Sequence, residues 1–494
     1  MRVFSWPPVR ACAWAAGGPP RASRPLLSVL RPDQVPAASR AGRFSRRLGV
    51  VGALALLAAA PPLRSQASPV PPGTGDSLVL TVNAARRLAL ARNPTLFASR
   101  QDTAIARGGL QQARLLRFNP DLAAVAPGPG FGGSRNASEF TVMQELEVAG
   151  QRGLRIDAAR FGLTRATATV ANATRLTLAD ASIAFYRALS AQRRLQVTRE
   201  VLELTERLLG AVRTQLREGE ISILEANLAE IEFGRAQARV LSAQRDATTA
   251  SLDLARLIGI GPGVSLRLED PAAAVSAPPD STRPVAPVVA PVTLPAPDID
   301  SLTALALARR PDLAATVTAL RETEALVSLS RREALPNLRF GVLAERNPGE
   351  NRTRIGPAVG LSLPLFNRSQ GLVTQRRAEA RQALFLRDAA RLQVRTDIAT
   401  TVRALTAANA EVAVFETSVR QPARANSALL EAAFRAGKIA LPTLLLLRNQ
   451  LLDAELGYWQ AWFARQEALT LLDAASGALT PPTDDGASSA NPAR

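Results

Sequence analysis

The hydrophobic and polar positions of this chain predict the same series of elements twice. Each half begins with two amphipathic helices, and a proline separates them because proline breaks a continuing helix. The predicted helices span about 81–93 and 95–117 in the first half, and about 299–310 and 312–334 in the second. The prolines follow Asn93 and Arg310. This order predicts an internal duplication.

The residues themselves support a repeat. Three pairs of segments match at an offset of 217 or 218 positions: Leu88–Leu96 with Leu305–Leu313, Leu146–Val148 with Leu363–Leu365, and Gly219–Ile221 with Gly437–Ile439. A unit of about 180 residues is far longer than solenoid repeats, which span about 20–50 residues. We therefore predict one repeat at 78–262 and another at 299–477, joined by a Pro/Ala-rich linker at 263–298.

Two short segments in each half have the alternating pattern of β-strands. They are about 120–126 and 138–148 in the first repeat, and 337–345 and 354–365 in the second. About ten residues with one apolar face match a transmembrane barrel strand. A small soluble hairpin packed on the helices is the alternative, but the recurrence in both repeats favours the barrel.

Very long helices follow each strand pair. The predicted helices span about 153–216 and 223–258 in the first repeat, and about 372–435 and 441–475 in the second. Leu195, Leu202, Leu209 and Leu216 recur at every seventh position, which is typical of a coiled-coil seam. Each pair predicts an antiparallel hairpin whose longer helix reaches about 90–95 Å. Such rods need partner helices, most simply from other copies of the chain.

The segment 1–67 has the features of an export leader. Three arginines precede the apolar run Leu48–Ala60, which is followed by a pair of prolines. The segment 1–42 before these arginines is long for a signal peptide, so we also hypothesise a mis-assigned start codon. Beyond the leader no uncharged apolar stretch is long enough for a membrane helix, so a membrane location would require β-strands. The tail at 478–494 is predicted to be disordered.

Composition excludes several functions. The formal charge is +18, but ten arginines against one aspartate lie in the segment 1–67, and the remaining charge is mixed. With 4% aromatic residues and no nucleic-acid-binding motif, we expect no nucleic-acid partner. The chain has no histidine, and its single cysteine, Cys12, lies in the leader. We therefore expect no enzyme activity, no metal site and no cofactor.

The chain resembles the TolC-like outer-membrane efflux proteins over about residues 80–478. The motifs are Leu88–Leu96 with its copy, Leu335–Asn337 before a strand, Leu363–Gly371 between strand and helix, and the two glycine turns. The segment Gln144–Arg155 is most similar to the heavy-metal, CzcC-type branch of that family.

The resemblance implies a mainly α fold with a membrane β-barrel. Three copies would form a twelve-stranded barrel in the outer membrane of a Gram-negative-type bacterium and a twelve-helix periplasmic tunnel. The implied partners are outer-membrane lipid, a periplasmic adaptor protein and an inner-membrane pump of the RND type. The implied function is passive export of small solutes or metal ions.

In this family the periplasmic end narrows just beyond the glycine turns, often with acidic rings. The corresponding residues here are Glu225 in the first repeat and Thr443 in the second, so this chain lacks a doubled ring. We therefore name as constriction candidates Glu218, Glu220, Glu225, Leu441, Thr443 and Leu446. The alternative is that these glutamates are ordinary solvated positions near a turn.

Candidates for adaptor contact are Gly219, Arg435, Gly437 and Lys438, at the two turns. For Arg435 we favour a simpler role at a helix C-terminus, where a cation complements the helix dipole. Tyr458, Trp459, Trp462 and Phe463 are expected to be packing anchors on the last helix.

Two other interpretations stay open at this point. A periplasmic adaptor also carries coiled-coil hairpins, but it places a single hairpin within β-rich domains, whereas this chain predicts two. A soluble coiled-coil scaffold would need neither the leader nor the strand pairs. The sequence does not identify the exported substrate.

Overall fold

The computed structural model describes residues 78–125, 138–269, 298–347, 352–436 and 438–479. The first repeat contains β1 (Leu78–Leu80), α1 (Val82–Arg92), α2 (Pro94–Arg114), β2 (Asp121–Val125), β3 (Ser138–Leu146), α3 (Gln151–Glu218), α4 (Ile223–Leu257) and β4 (Leu266–Leu268). The second contains α5 (Ile299–Arg309), α6 (Pro311–Arg332), β5 (Leu338–Asn347), β6 (Arg352–Leu361), α7 (Gln370–Val414), a π-helical segment (Phe415–Arg420), α8 (Gln421–Arg435) and α9 (Leu441–Ser476). The fold is mainly helical, as predicted.

The predicted helix junctions are confirmed. Asn93 separates α1 from α2, and its Oδ1 accepts the N–H groups of Thr95 at 2.9 Å and Leu96 at 3.1 Å. Its Nδ2 also donates to the carbonyl oxygen of Leu257 at 2.9 Å, which ties the junction to the end of α4. Arg310 occupies the same place between α5 and α6 but makes no side-chain cap.

The offset of 217 positions also relates the packing of the two repeats. One buried cluster contains Ala306, Ile398, Val402 and Ala475. The matching positions in the first repeat, Ala89, Ala181, Phe185 and Ile258, lie together in the larger cluster there. The two repeats therefore pack equivalent positions of equivalent helices.

One antiparallel sheet joins the repeats, with strand order β2-β3-β5-β6. Met143 of β3 lies opposite Gly341 of β5. A side chain at position 341 would collide with the carbonyl oxygen of Val142 and the sulfur of Met143, so glycine is required there. In the described part of the chain, the outer edges of β2 and β6 have no partner strand. Large exposed apolar side chains on the sheet include Leu122, Val125, Phe140, Phe340, Val342, Ile355 and Val359.

The second strand of repeat two ends earlier than predicted. Leu363 and Leu365 were expected to continue the alternation, but β6 ends at Leu361. The intervening Pro364 has no N–H to donate, and the N–H of Leu365 bonds to the carbonyl of Leu363 at 2.9 Å instead. The two leucines therefore lie in the connection to α7.

The long helices and their seam are confirmed. The α3 helix has 68 residues, which corresponds to about 100 Å. Of the four seam leucines, Leu209 is buried and the other three are half-buried. Thr198, Thr205 and Val212, which lie between the leucines, are also buried. None of the described helices combines the length and apolarity that crossing a bilayer requires.

The predicted single helix over 372–435 is wrong in one respect. Its α-helical hydrogen bonding stops at Val414, and the π-helical segment precedes α8. The cause lies at Pro422, which lacks an N–H and would clash with the carbonyl one turn earlier in a regular α-helix. The facing helix accommodates the wider turn with Gly457, where an added Cβ would lie 2.8 Å from Cζ of Phe415.

The aromatic residues of α9 pack as predicted. Tyr458 and Trp462 are buried in the large cluster of the first repeat, with Trp459 and Phe463 packed against it. The rings of Trp459 and Trp462 meet edge to face at 5.6 Å. These side chains therefore hold α9 against α3.

A short parallel strand pair closes the first repeat. Leu78, Val79 and Leu80 pair with Leu266, Arg267 and Leu268. The second of these strands lies in the range expected to be linker. Residues 270–297, the rest of that range up to Asp298, lie outside the described residues, as do the leader and the predicted tail from 480 onward.

Candidate functional site at the helical tips

The first tip is a tightly bonded turn between α3 and α4. Gly219 adopts a left-handed conformation with φ of 77°, which favours glycine. Its N–H donates to the carbonyl of Leu216 at 3.2 Å, and the N–H of Glu220 donates to the carbonyl of Gln215 at 2.9 Å. These bonds satisfy carbonyl groups that the end of α3 would otherwise leave without partners. The predicted glycine turn is thus present.

Glu225 has a local structural role at this tip. Its Oε2 accepts the backbone N–H of Ser222 at 3.0 Å and the hydroxyl of Ser222 at 3.2 Å. The N–H of Glu225 donates to Oγ of Ser222 at 3.3 Å, which completes a reciprocal capping box. The carboxylate is therefore held in place at the start of α4, with part of its surface exposed.

The second tip, between α8 and α9, lacks this cap. Ala440 precedes α9 without a side-chain hydrogen bond, and Pro442 occupies the first turn. The N–H of Lys438 donates to the carbonyl of Ala433 at 2.9 Å, which closes the end of α8. Gly437 and the side chain of Arg435 lie outside the described residues.

The other predicted candidates differ in exposure. Those that are exposed are Glu218, Gly219, Glu220, Lys438, Thr443 and Leu446. Leu446 has 59% of its surface exposed, whereas Leu441 has only 5%. Leu441 packs with Leu445 against Leu209, Val212, Ala226 and Ala229, so it joins the two tips within one chain.

A polar link between α4 and α9 was not predicted. Asn449 donates from Nδ2 to Oε2 of Glu232 at 3.1 Å and accepts from Arg239 at 2.8 Å. Arg235 donates to the other oxygen of Glu232 at 2.6 Å. Since Glu232 is buried, these bonds satisfy its charge and fix one hairpin beside the other.

Two apolar side chains at the first tip were also missed. Ile223 and Leu224 are 70% and 76% exposed, directly before Glu225. Exposed isoleucine and leucine at the first turn of a helix form an apolar end surface. Both residues are visible in the sequence, but they begin the long apolar pattern of α4 and were interpreted as part of it.

A second buried polar group lies about halfway along the long helices. Arg310 forms two bonds to Asp312, at 3.1 and 2.6 Å, and one to Asp397 of α7 at 2.7 Å. Arg175 of α3 lies 3.9 Å from Asp312 and donates to the carbonyl of Ala474 in α9. Burial raises the pKa of Asp312, but the hydrogen bonds of Arg310 and the charges of Arg310 and Arg175 outweigh this effect, so the pKa lies below its ordinary value. No group of three or more metal-ligating side chains lies close together in the part of the chain that the structure describes.

The comparisons with known proteins agree with this architecture. The outer membrane efflux protein family model matches residues 85–260 and 302–478, one match for each repeat. The chain is 25% identical over 398 residues to the cobalt-zinc-cadmium resistance protein CzcC of Cupriavidus metallidurans, covering 80% of this chain and 89% of that protein.

Solved structures show the same fold. The outer-membrane channel OprN aligns with a TM-score of 0.64 at 18% identity, covering 81% of this chain and 91% of OprN. The outer membrane protein VceC of Vibrio cholerae aligns with a TM-score of 0.62 at 16% identity, covering 80% and 96%. The family match favours an efflux channel over the adaptor and scaffold alternatives. The chain belongs to the outer membrane efflux protein family.

Proposed function

We propose that three copies of this chain form a passive outer-membrane channel of a tripartite efflux system. The four strands of each copy would close into a twelve-stranded barrel, and the long helices into a twelve-helix periplasmic tunnel. A periplasmic adaptor and an RND-type inner-membrane pump would complete the assembly.

The observation that carries this proposal is the sheet with two unpaired edges. Among the described strands, β2 and β6 form its outer edges, and apolar side chains are exposed on it. Unpaired edge strands are costly in a lipid environment because their backbone groups have no partners there. Pairing β6 of one copy with β2 of the next removes every edge when the ring closes.

The repeat also supports a proposal for which helices meet between copies. Within one chain, Arg165 of α3 bonds to Glu322 of α6 at 2.7 Å. At the repeat offset, the corresponding positions in the other half are Gln382 of α7 and Ile105 of α2. Ile105 is 71% exposed, which agrees with a contact that a second copy supplies. Within one chain, α6 packs against α3. We propose that α2 of one copy packs against α7 of the next copy in the same way.

Cysteine crosslinking tests this arrangement. The only natural cysteine, Cys12, lies in the predicted leader, so new cysteines report on their own positions. The double variant Ile105→Cys with Gln382→Cys is expected to give covalent dimers and trimers with a short bis-maleimide in native membranes. Ile105→Cys with Arg377→Cys is the matched control, because Arg377 is exposed elsewhere on α7. Equal yields from both pairs would contradict the packing.

We also propose that the tips form the constriction, with Glu225 in a threefold acidic ring beside Glu218 and Glu220. Thr443 and Leu446 would complete it, since both are exposed, and Leu441 would support the narrowing from the buried cluster between the tips.

The capping box makes a sharp test possible. Glu225→Gln removes the charge but keeps an oxygen that can accept the bonds of Ser222. Ser222→Ala removes the cap but keeps the charge. In planar bilayers, Glu225→Gln is expected to lower cation selectivity, while Ser222→Ala leaves it unchanged. Equal selectivity in wild type and Glu225→Gln would refute the ring.

For the adaptor we propose contact with the turns at Gly219, Arg435, Gly437 and Lys438. The exposed pair Ile223 and Leu224 adds an apolar surface beside them. The double substitution of this pair by serine is expected to weaken co-purification with the adaptor without reducing conductance.

For the cargo we propose divalent metal cations, with support from the similarity to the cobalt-zinc-cadmium resistance protein. Loss of the gene is expected to raise cellular zinc and zinc sensitivity, and the wild-type gene to restore both. Unchanged zinc sensitivity together with increased dye retention would instead indicate organic solutes.

A further inference from the structure

A cavity of about 510 Å³ lies between α5, α6 and α7, away from the tips. Its apolar floor includes Leu307, Leu313 and Val317. Cavities of about 300–1,000 Å³ with an apolar lining are typical of small-molecule sites. The volume therefore suits a small organic ligand.

Four arginines line the same cavity. Arg310 is buried and bonded to Asp312 and Asp397, which leaves Arg321 of α6 and Arg391 and Arg395 of α7. All three are exposed. Across the described residues, none of the three has a hydrogen bond or an ion pair with another side chain. Arg391 and Arg395 are one helical turn apart on one face, so their like charges repel each other. We call this cavity the arginine groove.

The nearby acids do not neutralise this charge. Glu322 and Asp388 lie close to the lining in sequence, but they bond to Arg165 and Arg387. Asp312 and Asp397 also lie close to it, and both bond to Arg310. Arg310 and Arg175 balance these two carboxylates within their own cluster. The three groove arginines therefore present their positive charge to whatever enters the cavity.

The first repeat serves as an internal comparison. At the repeat offset, the positions that correspond to Arg321, Arg391 and Arg395 are Ala104, Thr174 and Leu178. None of these is charged, and Leu178 is fully buried. Ala314, which lines the groove, corresponds to the much larger Phe97. At these positions the second repeat therefore differs from the first by three positive charges and by a smaller residue at position 314.

We infer that the arginine groove binds a small amphipathic anion. Guanidinium groups form paired, charge-assisted hydrogen bonds to phosphate and similar oxyanion heads, while the leucine and valine floor receives an apolar body. A phosphate-type amphiphile satisfies both features. All residues that line the groove belong to one chain, and the inference does not depend on the proposed cargo.

Isothermal titration calorimetry of the full protein in lipid nanodiscs tests the inference with three probes: inorganic phosphate, phenyl phosphate and decyl phosphate. Both amphiphiles are expected to bind at least tenfold more tightly than inorganic phosphate. A preference for decyl phosphate points to a lipid-derived ligand, and a preference for phenyl phosphate to a free solute. Either preference upholds the site, and equal binding of all three probes overturns it.

Two variants separate charge from volume. Arg391→Gln with Arg395→Gln is expected to weaken decyl phosphate binding at least tenfold, whereas the control Arg377→Gln changes it less than twofold. Ala314→Phe copies the first repeat and is expected to block the probe while all three arginines remain. Empty nanodiscs give the background for insertion of decyl phosphate into lipid. Wild-type affinity in both the double variant and Ala314→Phe would refute the arginine groove as a binding site.

Discussion

Replacing Arg310 by methionine is expected to destabilise the protein strongly. Arg310 is 6% exposed, and its three hydrogen bonds neutralise Asp312 and Asp397. Removing one partner of a buried ion pair costs about 3–5 kcal/mol, because the remaining charge is left unpaired. The side chains of the two aspartates keep 32% and 29% of their surface exposed, so water recovers part of that energy. We expect a loss of about 2–3 kcal/mol.

The dependence on pH gives a second measure of the same contact. The folded-state pKa of Asp312 is lowered, so its stabilising contribution is complete above the unfolded pKa of about 3.9 and is lost as the pH falls through the folded pKa. The difference between wild type and Arg310→Met is therefore expected to be constant from about pH 7 to 5 and to shrink below about pH 4.

Chemical denaturation followed by far-ultraviolet circular dichroism measures both effects at fixed protein and detergent concentrations. Arg377→Met is the control, since Arg377 is exposed on α7. The double variant Arg310→Met with Asp397→Asn is expected to lose less than the sum of the single variants, because they remove the same contact. A loss below about 0.5 kcal/mol for Arg310→Met, typical of surface positions, would refute the reasoning.

Three further substitutions, with Gly210→Ala as the control for the first, test other contacts by the same assay. Gly457→Ala is expected to destabilise the protein because its Cβ would meet the ring of Phe415. Gly210→Ala has open space around it and should stabilise the protein by about 0.5–1 kcal/mol through helix propensity. Stabilisation by both substitutions would contradict the close approach of Gly457 to Phe415. Asn449→Leu is expected to cost about 1–3 kcal/mol because it removes a donor to the buried Glu232, and no change would show that water replaces that bond. Ser222→Ala should cost about 1 kcal/mol through the lost cap, and an unchanged midpoint would show that the tip frays without cost.

Local signals were sufficient for the helices and their junctions. Pro94 and Pro311 mark the helix starts, and the glycine at position 219 marks the first turn, because each restricts its own backbone whatever the surroundings. The seam along α3 was equally visible, since a heptad pattern depends only on spacing.

Features that depend on neighbouring helices were harder to predict. Pro422 was visible in the sequence, but the π-helical turn that accommodates it also needs Gly457 on the facing helix. The bond between Glu232 and Asn449 depends on how the two hairpins lie side by side, which no local pattern encodes.

At the first tip, the sequence contained a signal for the capping box that was not recognised. Ser222 followed three positions later by Glu225 has the spacing of a capping box, and the structure shows those bonds. Whether the same carboxylate also lines a pore depends on threefold symmetry, which a single chain does not carry. The arginine groove was missed because its three cations come from two helices that the sequence separates by about 70 positions.

The pairing of β1 with β4 has a consequence for the origin of the chain. It brings the first described residues of repeat one beside its last, and in repeat two Gly477 similarly lies against Arg309 near the start. A unit whose two ends are neighbours can be copied in tandem with only a connecting segment added, because neither copy must distort to reach the next. In the proposed trimer each repeat would correspond to one unit of an ancestral ring of six identical units, which became three chains when two copies were joined in one gene.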